Sequence, residues 1–169
     1  MTAGYPGLLA LLGGLGAPCS LPARHAERLR RGRAGAAHDA GAGLWPEAGW
    51  RARAAERMAS APGCVALVLI DPVPPQHEAA IARCLLGVLR PSDPVGRYGT
   101  RQLAALVQVD LPAVGVLVAE RVRARLAQAG IGCVLGVAVS AGEDLGDLLI
   151  RAGSDLMARR ESAGSSVRW

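Results

Sequence analysis

The sequence predicts an α/β domain with a mixed central sheet flanked by helices, and three observations carry that prediction. An unbroken apolar run, Cys64 to Ile70, is too short for a buried helix and stops at Asp71, as a fully buried central strand does. Farther on, the stretch from Arg90 to Val107 reads as Arg-x-x-Asp followed by a strand, a glycine-containing turn with Arg101 and Gln102 at its tip, and a second strand. Between and around these strands, apolar residues recur at helical spacing.

Each element follows in order. Trp50, Ala54 and Met58 recur every fourth residue, with Arg51, Arg53, Glu56 and Arg57 on the opposite side, which predicts an amphipathic helix ended by Ala61-Pro62-Gly63. The strand to Asp71 follows. Pro72, Pro74 and Pro75 then block regular structure until Gln76, where His77 and Glu78 open an exposed helix start. Ile81, Leu85, Val88 and Leu89 mark that second helix, which must end before Pro91. After the hairpin, Asp110 and Pro112 are helix-start residues, and Val114, Leu117, Val118, Val122 and Leu126 predict the stripe of a third helix ending at Gly130. Cys133 to Val139 reads as a buried strand. Glu143 and Asp144 favour the start of a last helix with the stripe Leu145, Leu148, Leu149, Ala152 and Leu156. Arg159 and Arg160 suit its C-terminal end, and Gly164 is expected to turn the chain into a short strand, Val167 to Trp169.

The 169 residues suffice for one domain with a full core, and 51% apolar against 20% charged residues excludes disorder. Every basic residue is arginine, and the net charge of +5 is unevenly placed. Arg24, Arg28, Arg30, Arg31 and Arg33 against Glu27 put +4 ahead of residue 39, which leaves the remainder at +1. A domain this close to neutral lacks the basic face of a nucleic-acid binder. The chain therefore divides into a Gly/Leu- and Arg-rich tail, residues 1–37, and one domain, residues 38–169. The apolar run from Tyr5 to Cys19 is shorter than the roughly 20 residues needed to span a bilayer, and no charged segment precedes it as in a signal peptide. Two readings of the tail stay open: a loose, partly helical segment, or a weak anchor held by its arginines to an anionic membrane face. The expected location is the cytoplasm, with the membrane's inner face as the second reading. Cys19, Cys64, Cys84 and Cys133 form no C-x-x-C pair, and His25, His38 and His77 are scattered, so no zinc spacing exists. Four buried thiols in a reducing compartment are expected.

The order of these elements and several short motifs resemble the GGDEF family of diguanylate cyclases over about residues 38–169. Asp39 to Glu47 resembles a worn form of the entry motif D-x-L-T-G-L-x-N-R. Leu67 to Asp71 resembles the strand that ends on the first metal-binding Asp. Arg90-Pro91-Ser92-Asp93 stands at the family's spacing for its inhibitory Arg-x-x-Asp site, and Arg97-Tyr98-Gly99 matches the residues entering the signature. Ala119 to Arg123, Gly136 to Ala138 and Leu148 to Ala152 resemble the later helix, strand and last helix. The resemblance implies a palm-type, nucleotidyl-cyclase-like fold, cyclic di-GMP as ligand, and Arg90, Asp93 and Arg121 as its contacts. It also implies a homodimer or a heterodimer with another GGDEF protein.

The departures set the expected activity. The signature G-G-[DE]-E-F is here Gly99-Thr100-Arg101-Gln102-Leu103. Thr100 adds a side chain where the family's second glycine lets phosphates approach, and Arg101 replaces an acidic metal ligand. A unit charge pair at about 4 Å is worth roughly 4 kcal/mol at an effective dielectric near 20, so an arginine beside a divalent ion opposes binding strongly. Asp71 alone is a vestigial metal ligand, and no cofactor is expected. An ordinary turn role before Pro72 is the competing reading of Asp71. Between Asp71 and Gly99 only Pro72 to Tyr98 remain, where the family places two helices and its guanine-reading stretches. The expectation is a catalytically inactive domain acting as a cyclic di-GMP receptor or regulator. A pure interaction or dimerisation module is the alternative, and an active cyclase stands behind both.

Overall fold

The computed structural model describes residues 43–61, 63–140 and 142–165. The tail over residues 1–37, the entry motif from Asp39 to Ala42, and the strand expected from Val167 to Trp169 lie outside the described residues. The elements run α1 Glu47–Ser60, β1 Cys64–Asp71, α2 Pro75–Val88, β2 Val95–Tyr98, β3 Gln102–Val109, α3 Pro112–Gln128, β4 Val134–Val139 and α4 Leu145–Ser165.

The four strands form one sheet in the order β2-β3-β1-β4, antiparallel throughout. The parallel component is one bridge, Trp45 to Gly96, where the chain entering α1 runs along edge strand β2. Trp45 N–H donates to Val95 O at 3.0 Å and Arg97 N–H to Trp45 O at 2.9 Å, so this edge is covered. β1 is paired on both sides, which explains its unbroken apolar run.

Pleating divides the core into two layers. Ala66, Val68 and Ile70 pack with Ile81, Ala82 and Leu85 of α2 and with Ala119, Val122 and Leu126 of α3. Val65, Leu67 and Leu69 pack on the other face with Trp50 and Ala54 of α1 and with Leu148, Leu149, Ala152 and Leu156 of α4. Asp71 shares the parity of Leu69, and the α1–α4 face is where its partner is found.

Three expectations change. The α3 stripe is rotated: Gly115, Ala119, Val122 and Leu126 are buried, whereas Val114 and Leu117 are exposed. Small residues win the sheet side because the helix backbone lies close to it; a Cβ on Gly115 would stand 2.7 Å from the Ala66 Cβ. Helix α4 runs through Gly164 to Ser165 instead of turning there. Cys64, Cys84 and Cys133 are free but half-buried, since each stands at a strand start, in a helix flank or ahead of an edge strand. Burial pushes the Cys133 thiol up, with the Arg123 guanidinium opposing and Cys84 adding to the rise. Among the described residues, no helix is long and apolar enough to cross a membrane.

Candidate functional site

The hairpin tip lies beside the end of β1, because Ile70 pairs with Leu103 and Tyr98 with Gln102, leaving Gly99, Thr100 and Arg101 as the loop. Gly99 adopts φ +63°, a conformation open to glycine at no cost, and its N–H donates to Glu47 Oε2 at 3.1 Å. Thr100 and Arg101 are exposed, Gln102 is half-buried and Leu103 is buried. The Arg101 carbonyl accepts from Val73 N–H at 2.8 Å, which ties the tip to the segment following β1. The strand behind the tip is held by Arg97, whose guanidinium forks onto Glu78 Oε1 at 2.5 and 3.0 Å.

At the end of β1, the Asp71 side chain is 8% exposed and its Oδ2 lies 2.8 Å from Arg160 Nη1 of α4. The pair is close in distance without the alignment of a hydrogen bond. A positive group supplied by the protein therefore faces the carboxylate. Beside it, a groove of about 620 Å³ opens between the hairpin and α4, lined by Tyr98, Gln102, Leu149, Ile150, Met157 and Glu161 among others.

The Arg-x-x-Asp turn lies at the opposite end of β2, roughly 13 Å away for a four-residue strand. Asp93 N–H donates to Arg90 O at 2.9 Å, and Arg90 N–H donates to Asp93 Oδ2 at 3.0 Å. Asp93 thus folds its carboxylate back onto its own turn, with the side chain wholly buried, while Oδ1 has no hydrogen-bonding partner. The two side chains of the motif are not joined: the Arg90 residue is exposed, with no ion pair among the described residues. Arg121 is likewise exposed, on α3, which lies beside α2. The guanidinium nearest Asp93 is Arg57 of α1, 3.9 Å from Oδ1 and 3.3 Å from Ser92 Oγ.

Comparison with solved structures places this arrangement. The sensory box/GGDEF family protein from Caulobacter crescentus is 24% identical, with a TM-score of 0.61 over 74% of this chain and 98% of that one. The S helix–GGDEF–EAL portion of Vibrio cholerae LapD, bound to cyclic di-GMP, gives 0.64 at 14% identity over 84% of this chain and 38% of that one. Diguanylate cyclase SiaD of Pseudomonas aeruginosa, in complex with its activator SiaC, gives 0.60 at 21% identity over 83% and 64%. The fold is that of a GGDEF domain. No protein-family model and no curated protein matched the sequence.

In this fold Gly99 to Leu103 spans the β2–β3 turn, and Asp71 ends central strand β1. Two side chains of consequence were hidden in the sequence. Arg57 belongs to the polar side of an amphipathic helix, and Arg160 reads as a cation suited to a helix end; neither position announces a distant carboxylate.

The Asp71–Arg160 pair carries a prediction. Removing the partner of a buried charge costs about 3–5 kcal/mol when both are buried, but the Arg160 side chain is 49% exposed, so Arg160→Ala is expected to cost about 1–2 kcal/mol. Denaturant unfolding of Arg160→Ala, Asp71→Asn and the double variant checks it. The double variant should regain much of the loss, because the uncompensated charge is gone.

Proposed function

We propose that this GGDEF-fold domain is a catalytically silent receptor that binds cyclic di-GMP at its Arg-x-x-Asp turn. The observation that carries the reading is Asp93: a buried carboxylate on a rigid turn, one oxygen spent on the Arg90 amide and the other left without a hydrogen bond. A buried acceptor in that state is costly unless something donates to it. Arg90 and Arg121, both exposed, are the cations offered to the ligand's phosphates.

Catalytic silence rests on the hairpin end. The metal-assisted phosphoryl transfer of diguanylate cyclases needs carboxylates gathered around divalent ions. The residues present do not fit such ions: Asp71 already faces Arg160, Arg101 stands at the signature's acidic position, and the described residues contain no group of three His, Cys, Asp or Glu suited to a metal. The neighbouring groove is walled by Leu149, Ile150 and Met157, a poor seat for a triphosphate.

Calorimetric titration with cyclic di-GMP tests the receptor reading, with saturable heat and a raised melting midpoint as the expected result. Absence of both at high ligand concentration overturns it. Incubation with GTP and Mg²⁺ is expected to yield no cyclic di-GMP, and turnover abolished by Asp71→Ala would contradict silence. A second reading, a protein-interaction module that keeps only the fold, draws on the exposed Leu111, Val114, Val116 and Leu117 around the start of α3. The neighbour SiaD, crystallised with a protein activator, supports a partner of that kind.

A further inference from the structure

The groove of about 620 Å³ between the hairpin and α4 has a buried floor and exposed walls. Leu69, Leu149 and Leu156 form the floor, whereas Ile150 and Met157 stand beside them 68% and 54% exposed. Ile150 and Met157 are two helical turns apart with Gly153 and Ser154 between them, so all four share one stripe of α4. The two small residues let a second stretch of chain lie close to the helix. The unbranched Met157 side chain adapts to what packs against it. An exposed apolar stripe beside a preformed groove is a contact surface.

The groove's chemistry narrows the occupant. Among the residues lining it, Glu161 carries the one charge, and Gln102 at the hairpin end supplies an amide for a backbone group. Arg151 and Arg160 of α4 are engaged with Glu143 and Asp71. An anion therefore meets no cation among the lining residues, and the fitting occupant is an apolar segment with basic flanks. The chain itself contains one. No charged side chain precedes Arg24, and Leu8, Leu9, Leu11, Leu12 and Leu15 are concentrated ahead of Arg24, Arg28, Arg30, Arg31 and Arg33.

Attachment favours this segment over a separate partner. The described chain starts at Gly43 and passes along β2, with Trp45 beside Val95 and Gly96, while Tyr98 at the other end of β2 lines the groove. Residues 16–42 connect Leu15 to Gly43, and a flexible chain of that length spans about 30 Å. That matches the diameter of roughly 35 Å expected of a domain this size. A linker matched to its span holds the tethered segment at an effective concentration on the order of millimolar, so a weak contact suffices. We propose that residues 8–15 dock in the groove between the hairpin and α4 of their own domain. The leucines lie over Leu69, Leu149 and Leu156 and against Ile150 and Met157, and the arginines that follow are drawn towards Glu161. This contact stands apart from ligand binding at the Arg-x-x-Asp turn, which lies at the opposite end of β2.

Hydrogen–deuterium exchange of the full chain tests the docking. Amides of residues 8–15 are expected to exchange about tenfold or more slowly than an unprotected chain, at every protein concentration. Met157→Asp and Ile150→Asp should each abolish that protection and leave the exchange of the sheet unchanged, because both side chains stand on the surface. Reciprocally, Leu11→Asp combined with Leu12→Asp should make Met157 oxidise severalfold faster in dilute peroxide, as peptide mass spectrometry would report. Fast exchange over residues 8–15 in the unaltered protein overturns the proposal. Protection that survives both groove variants overturns it by placing the tail elsewhere. Protection that grows with protein concentration overturns it by giving the groove to a second copy. Unchanged oxidation of Met157 in the leucine variant overturns it as well.

Discussion

Trp50→Ala is expected to destabilise the domain by about 3–5 kcal/mol, the range for deleting a fully buried aromatic side chain. Trp50 is 0% exposed and joins three parts of the molecule. Its indole N–H donates to Pro94 O at 3.2 Å, and its ring meets Tyr98 edge-on at 5.9 Å between centroids. It also packs among the residues of the α1–α4 layer. Truncation leaves a cavity at the root of the Arg-x-x-Asp turn and removes one of the two hydrogen bonds to Pro94 O, which still accepts from Leu106 N–H at 3.1 Å. Thermal unfolding should fall on the order of 10–20 °C for a domain of this size. Trp50→Phe should recover the packing but not the hydrogen bond, and so lie between the two. A loss below about 1 kcal/mol would mean that α1 is not seated on the sheet as described.

The second large effect is expected at Gly136 in edge strand β4. A Cβ built there meets Ala152 O at 2.3 Å, the Leu156 Cβ at 2.5 Å and Leu156 N at 2.8 Å. Two of the three atoms are helix backbone, which cannot rotate aside. Gly136→Ala must therefore lift α4 from the sheet, and overpacking of this kind costs about 1–3 kcal/mol or more. The same close approach lets Asp155 Oδ2 accept from Val137 N–H at 2.8 Å, so a helix side chain satisfies an edge-strand amide. Lifting α4 also withdraws Arg160 from Asp71. Gly136→Ala should then exceed Arg160→Ala in cost, as denaturant midpoints would report. Equal stability of Gly136→Ala and the unaltered protein would contradict the packing of α4 on β4.

Much of the architecture was legible because each element is patterned for a local environment. Residues 64–70 could be read as a central strand since burial on both faces leaves no polar position, and the α4 stripe was read correctly for the analogous helical reason. The α3 stripe misled because the rule looks for large apolar residues. That helix approaches the sheet so closely that Gly115 and Ala119 take the inner side and leave Val114 and Leu117 in solvent. Gly164 misled for a different reason: glycine permits a turn without requiring one, and the helix continues through it.

The candidate site divides along the same line. Residue order alone located an acid at the end of the central strand, a hairpin with Arg101 at its tip, and an Arg-x-x-Asp turn before β2, because these features are contiguous in the chain. Which arginine stands beside which carboxylate is a property of packing. Polar patterning puts Arg57 and Arg160 on helix surfaces and says nothing of what those surfaces meet. The seating of α1 against the turn brings Arg57 to Asp93, and the seating of α4 against β4 brings Arg160 to Asp71. A long, flexible guanidinium can reach any carboxylate within several ångströms, so its partner is chosen by the position of the helix axis, which only the folded core sets.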